Sequence, residues 1–280
     1  MGASELICRR ARPWLGTIVE ISVPQEYESA IEVGFAAIAR IHHLMSFHEE
    51  TSDVAKTRTA QPNEIIELAP ATVAVLQIAA DLHSASRGLF NVAVGRQLIR
   101  SRFLPRMNTI HLNRFQGNMN DIEIIDDDHV RFGRRTLIDL GGIAKGYAVD
   151  CAVEALQAAG VSNGIVNAGG DLRVFGDMPI MVEVRMAQGA LSEPLLLQNI
   201  AMASSENTNT RHCLKDQIIT PHIGPDGQPI IANQTVTVTA STCVIADAIT
   251  KVAMIDADLA AKLLAAHDGQ VIRFAMSEAA

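Results

Sequence analysis

The chain has 280 residues, 48% hydrophobic and 19% charged, with a net charge of −8. That balance fits a well-buried globular protein and excludes a disordered one, and the negative charge speaks against a general nucleic-acid binder, which would carry a basic stripe. The four cysteines (Cys8, Cys151, Cys213, Cys243) include no CxxC pair and no metal-ligand spacing.

The first residues carry Arg9, Arg10 and Arg12 but no apolar run behind them, so no secretory signal is expected. The sequence as it stands reads as cytoplasmic, or periplasmic if a leader has been removed. No window approaches 18 uncharged apolar residues, so no membrane span is expected. Residues 17–23 alternate apolar and polar and predict a strand ending at Pro24. From 27 to 45, apolar residues recur at helical spacing and predict a long amphipathic helix, with a polar loop over 45–53. His42 and His43 are neighbours on that helix, are not expected to face one ion together, and read as surface or packing residues. A second helix is predicted from Pro70 to Gly88, followed by a short apolar segment over 89–95. The arginines at 96, 100, 102 and 106 read as a solvated loop.

Strands are predicted over 110–112, 122–125 and 130–132, with the acids of 126–128 and His129 forming a hairpin tip. A helix is predicted from Gly142 to Ala159, stopped by Gly160. Further strands are predicted over 164–168, 171–174, 181–186 and 235–239. Helices follow over 242–253 and 257–266, the second capped by Asp256, and a last strand covers 270–275. Cys151 and Cys243 fall in apolar helical patterns and are expected to be buried thiols. The interspersed helices and antiparallel-looking strand pairs predict an α+β fold, with 1–280 as one domain.

Three stretches carry chemistry. IDLGGIAKGYAVD over 138–150 runs from a strand end through Gly141-Gly142 into a helix bearing Lys145. A glycine turn lets a ligand approach the backbone, and a helix N-terminus with a lysine one turn on suits phosphate. Asp247 sits inside an otherwise apolar helix, which is costly for a carboxylate unless it is paired or bound to a cation. An i,i+4 ion pair with Lys251 is the plain explanation, and Thr250 at i+3 offers an oxygen ligand if a cation binds instead. The loop over 219–229 is a series of Pro and Gly turns around His222 and Ile223, and a histidine held so is available for proton transfer or is simply structural. Ser204 and Ser205 offer hydroxyls to a ligand, or simply form a turn.

In order along the chain, these pieces resemble the FAD:protein FMN transferase (ApbE-type) family. LGT at 15–17, MSFH at 45–48, SDV at 52–54, GLFNVAVG at 88–95, IDLGGIAKGYAVD at 138–150, VNAGGDL at 166–172, the His222 loop and ADA at 246–248 are similar to its motifs. The resemblance implies an ApbE-like fold of largely antiparallel sheets flanked by helices. It also implies Mg²⁺-dependent transfer of FMN from FAD to a Thr or Ser hydroxyl of an acceptor flavoprotein, with AMP released. Leu15, His48, Leu89, Phe90, Asn91, Asp139, Lys145, Ser204, Ser205, His222 and Ile223 then fall at flavin-nucleotide contacts. His222 is the implied base. Gly142 and Asp247 are the implied metal positions, with Thr250 or Lys251 beside them. The sequence departs from the family pattern at Lys251, where a Thr is usual, at Asn91 in place of Asp, at Gly224 in place of the loop Asp, and at Glu206 in place of a small residue. Protonated lysine cannot ligate a metal. These departures keep two alternatives open, hydrolysis of FAD to FMN and AMP, and FAD binding without turnover.

Overall fold

The computed structural model describes residues 7–106, 111–186 and 189–275. Strands β1 (Ile7–Trp14) and β2 (Thr17–Pro24) make a hairpin whose two-residue turn, Leu15-Gly16, has both φ angles positive, at 56° and 73°. That backbone matches the strand twist, but it holds a leucine in the left-handed region. The helix predicted from residue 27 begins later. Gln25–Ala30 is a 3₁₀ turn, and α1 runs over Ile31–Met45. Two short helices escaped the sequence reading. Helix α2 (Asp53–Thr59) starts on Ser52, whose hydroxyl accepts from Ala55 N at 3.0 Å. After β3 (Ile65–Glu67) and α3 (Pro70–Ala85) comes α4 (Gly95–Arg100), which takes Arg96 and Arg100 out of the expected loop.

Of the strand predicted over 110–112, residue 110 lies outside the described residues and Leu112 begins a 3₁₀ turn. Strands β4 (Ile122–Ile124) and β5 (His129–Phe132) form the expected hairpin, with β3 on the other side of β5. Helix α5 covers Ala144–Ala158, starting two residues later than predicted because 141–143 form a turn. Strands β6 (Gly164–Ala168) and β7 (Asp171–Phe175) follow. The strand predicted over 181–186 is only β8 (Ile180–Val182), paired with β9 (Leu195–Leu197). The chain closes with β10 (Ile200–Ser205), the small hairpin β11 (His212–Leu214) and β12 (Gln217–Ile219), then β13 (Gln234–Ala240), α6 (Cys243–Ala253), α7 (Ala257–Leu264) and β14 (Gln270–Ala275).

The main sheet has the order β1-β2-β6-β7-β10-β13-β14, antiparallel at every step. Period-two alternation divides its faces. Val166, Phe175, Ala201, Ala203, Val236 and Val238 enter the large core under α1, α5 and α6, while Leu172, Val174 and Met202 meet the β8–β9 hairpin on the opposite face. This is the expected α+β architecture. Among the described residues no helix is long and apolar enough to cross a membrane.

Two helices are locked together under the sheet. Gly146 allows it, because an added Cβ would lie 2.3 Å from the Cys243 carbonyl oxygen. Asp247, from α6, accepts from Gly146 N in the first turn of α5 (3.1 Å). Asp150, from α5, accepts from Cys243 N (2.9 Å) and Val244 N (2.8 Å) in the first turn of α6. Each helix thus caps the amide groups and positive dipole end of the other.

Candidate functional site

A cavity of about 690 Å³ opens above these helix starts, within the usual range for small-molecule sites. It is walled by the β1–β2 turn (Leu15), the end of α1 and the loop behind it (His48), the 89–95 segment (Leu89, Phe90, Asn91), the glycine turn (Asp139, Gly142, Lys145), the end of β10 (Ser204, Ser205), the 221–223 loop (His222, Ile223) and Lys251. All eleven positions implied as nucleotide contacts line this one cavity. Asp247 and Thr250 do not. Both are 0% exposed and lie behind the wall.

Charge is concentrated on the floor. Lys145 Nζ reaches Asp171 Oδ2 at 2.5 Å and Asp247 Oδ2 at 3.4 Å. Burial works against the Lys145 charge, but the two carboxylates outweigh it and raise its pKa above the ordinary lysine value. Lys251 Nζ donates to Asp247 Oδ1 and, at 2.8 Å, to the Asp247 backbone carbonyl. Burial alone would push Asp247 up, yet Lys145, Lys251 and the Gly146 amide hold it at about 2. Asp139 is pushed up by burial, partly countered by the Gly141 amide and by His48 and Lys145. His222 is held near 3 by burial and then by the Lys251 and Lys145 charges, so its imidazole is neutral at pH 7.

Other hydroxyls and amides are already engaged. Ser204 Oγ pairs with Thr237 Oγ1 at 2.8 Å, and Ser205 Oγ with Thr250 Oγ1 at 2.7 Å. Thr250 Oγ1 also donates to the Asp247 carbonyl at 2.7 Å. Asn91 Oδ1 accepts from Ala93 N at 2.7 Å, shaping its own turn. Glu206 lines the cavity but accepts from Thr208 N at 2.6 Å and Asn209 N at 3.2 Å, which turns its charge onto local backbone.

The Mg²⁺ set implied by resemblance, Gly142 and Asp247 with Thr250 or Lys251, does not fit this floor. Mg²⁺ asks for near-octahedral oxygen donors. Here one carboxylate already accepts from two ammonium groups and an amide, the Thr250 hydroxyl donates its proton to a carbonyl, and the lysine stem lies against the turn, 3.4 Å from a Cβ built on Gly142.

Two expectations about other polar groups change. His42 and His43 do face one group, since both rings meet Glu49, at 3.3 Å and 2.9 Å. The loop after Met45 brings Glu49 back to the helix end, and Trp14 packs on both rings with centroids 5.4 and 5.7 Å away. Cys151 is half-buried rather than buried, whereas Cys243 is fully enclosed. The acids of 126–128 sit at the expected hairpin tip. The sequence reading assigned no role to Asp171, the partner of Lys145, although the glycine pair just ahead of it marked the bend that aims it. Nor did it single out Phe103, Leu104 and Ile230, apolar wall residues from irregular segments with no periodic signal.

The model of the ApbE family matches residues 15–274. The chain belongs to the ApbE family. It is 28% identical over 261 residues to the FAD:protein FMN transferase of Chlamydia pneumoniae, covering 86% of this chain and 79% of that one. It is 32% identical over 177 residues to the FAD:protein FMN transferase of Rhodobacter capsulatus, covering 58% of this chain and only 34% of that longer relative. The solved structure of the flavinyl transferase ApbE of Pseudomonas stutzeri in its apo form superposes with a TM-score of 0.83 at 17% identity, over 98% of this chain and 92% of that one, a likeness of fold.

Proposed function

We propose that this ApbE-family chain holds FAD in the cavity and transfers its FMN part to a Thr or Ser hydroxyl of an acceptor flavoprotein, releasing AMP. The names carried by its relatives support the reading. The observation that carries it is the meeting, in one cavity, of all eleven implied nucleotide contacts, the Lys145 ammonium and the neutral His222 imidazole among them, with the Lys251 ammonium beside them.

The chemistry follows from those groups. The apolar wall, Leu15, Leu89 and Phe90 among it, takes the flavin ring. Lys145 and Lys251 face the diphosphate. The acceptor hydroxyl oxygen attacks the FMN-side phosphorus, the bond from that phosphorus to the bridging oxygen breaks, and AMP leaves with the electron pair. His222 takes the hydroxyl proton. In the ligand-free protein it is a weak base, because burial and two ammonium groups disfavour its charged form. A bound diphosphate offsets those positive charges and raises its basicity where it is needed. Mg²⁺ enters no step here, since the donor set does not fit it.

The test is incubation of the purified protein with FAD, with and without a candidate acceptor, following AMP by chromatography and flavin on the acceptor by in-gel fluorescence. AMP and a fluorescent acceptor only when both partners are present support transfer. AMP without acceptor replaces the reading with FAD hydrolysis. FAD binding with no AMP in either case leaves a flavin-binding protein.

A further inference from the structure

We infer that Lys251 supplies, as a built-in ammonium, the positive charge at the Gly142–Asp247 position, so that this chain engages a flavin diphosphate without a divalent cation. The inference rests on the flavin reading above and deepens it.

The position is occupied by design of the helix. On α6 an i,i+4 offset places Lys251 over Asp247. The Lys251 stem crosses to the glycine turn, where its Cε lies 3.4 Å from a Cβ built on Gly142. Its ammonium therefore sits between the turn and the carboxylate, the two groups that would share an ion. The grip is two-point, through the side-chain Oδ1 and the backbone carbonyl of Asp247, the latter at 2.8 Å. An ammonium has three donors, so one remains for an oxygen in the cavity that Lys251 lines.

Saturation of Asp247 points the same way. Its second oxygen takes the Gly146 amide at 3.1 Å and Lys145 at 3.4 Å. An incoming divalent ion has to displace an ammonium from a carboxylate that is 0% exposed, and then sit beside that displaced like charge. The charges of Lys145 and Lys251 balance those of Asp171 and Asp247, so the floor is complete without an ion. One fixed positive charge stands where a divalent ion brings two. A diphosphate is still held, with less positive charge beside the departing AMP.

The experiment separates this inference from the flavin reading by using two probes. Mn²⁺ alone is titrated into the ligand-free protein and read by electron paramagnetic resonance, and FAD binding is read by flavin fluorescence in excess EDTA and in millimolar Mg²⁺. Wild type is expected to bind no Mn²⁺ in the micromolar range and to hold FAD equally in both media. Lys251→Thr, checked for folding by its melting curve, is expected to gain a Mn²⁺ site that the added Asp247→Asn change removes. In that single variant Mg²⁺ is expected to tighten FAD by about tenfold or more. Mn²⁺ binding to wild type that Asp247→Asn abolishes overturns the inference, as does a folded Lys251→Thr that gains no Mn²⁺. Absence of FAD binding in both media overturns the flavin reading instead, while the Mn²⁺ titration still decides what Lys251 does.

Discussion

Asp150 offers a quantitative test of how the floor is built. Asp150 is 5% exposed, and its carboxylate accepts three hydrogen bonds, from Cys243 N at 2.9 Å, Val244 N at 2.8 Å and Arg173 Nη1 at 2.8 Å. Asp150→Ala strips the acceptors from two first-turn amides of α6, at about 1 kcal/mol for a lost cap. It also leaves the Arg173 guanidinium without its carboxylate. Breaking a buried pair costs about 3–5 kcal/mol, and with the Arg173 side chain 20% exposed the lower end applies. The effects overlap, so a loss of about 3–4 kcal/mol is expected. Asp150→Asn keeps the shape and one acceptor oxygen, and is expected to cost about 1–2 kcal/mol. Urea unfolding at pH 7, with the m-value checked for constancy, measures both. If Asp150→Ala costs less than about 1 kcal/mol, or the two variants are equal, the reciprocal capping contributes little and the reasoning fails.

Other outcomes are expected from the same geometry. Gly146→Ala drives a methyl group into the α6 backbone, 2.3 Å from the Cys243 carbonyl oxygen, and is expected to destabilise by about 3 kcal/mol or more, whereas Gly160→Ala, whose added Cβ meets nothing but whose φ is +89°, is expected to cost about 1–2 kcal/mol from backbone strain alone. Thermal unfolding of the two variants side by side checks the order. Leu15→Asn relieves a left-handed leucine, worth about 1 kcal/mol, and gives up a similar amount of apolar contact. Stability should stay within about 1 kcal/mol of wild type while FAD affinity falls, and a fall in stability with unchanged affinity would refute the placement of Leu15. His222 is depressed to about 3 from an ordinary value of 6.5. Between those values the unfolded chain binds a proton that the folded chain refuses, so this contribution is complete above pH 6.5 and is lost as pH falls toward 3. His222→Gln should flatten that part of the urea-midpoint profile, and parallel profiles for variant and wild type would count against it.

What the sequence disclosed depended on how local each cause was. The strands at 17–23 and 235–239 and the helices after Pro70 and Thr242 carry their period in their own residues and were legible. So was the Asp247–Lys251 pair, a consequence of helical spacing alone. Helix α2 was not read, although Ser52 is a good cap, because its stability leans on distant bonds: buried Asp53 accepts from Ala69 N at 2.8 Å and Thr72 Oγ1 at 2.7 Å. Helix α4 and the three-residue strands are too short for any period to register. The convergence of His42 and His43 on Glu49 needed the path of the following loop. The exchange between Asp150 and Asp247 joins residues 93–101 positions apart, and no local pattern announces it. The eleven cavity positions were found through motif resemblance rather than periodicity, since turn residues leave no period to count.

The two crossed carboxylates also decide where motion can occur. Sliding or splaying either helix strands a charge and an amide on both at once, so α5 and α6 work as a splint rather than as a hinge. On the proposed function, a protein acceptor would gain admission by displacing the segments of the cavity rim at 46–48 and 221–230, while the ammonium-bearing base stays rigid. Exchange of the Gly146, Cys243 and Val244 amide protons should accordingly be among the slowest in the chain, and should quicken together when either acid is replaced.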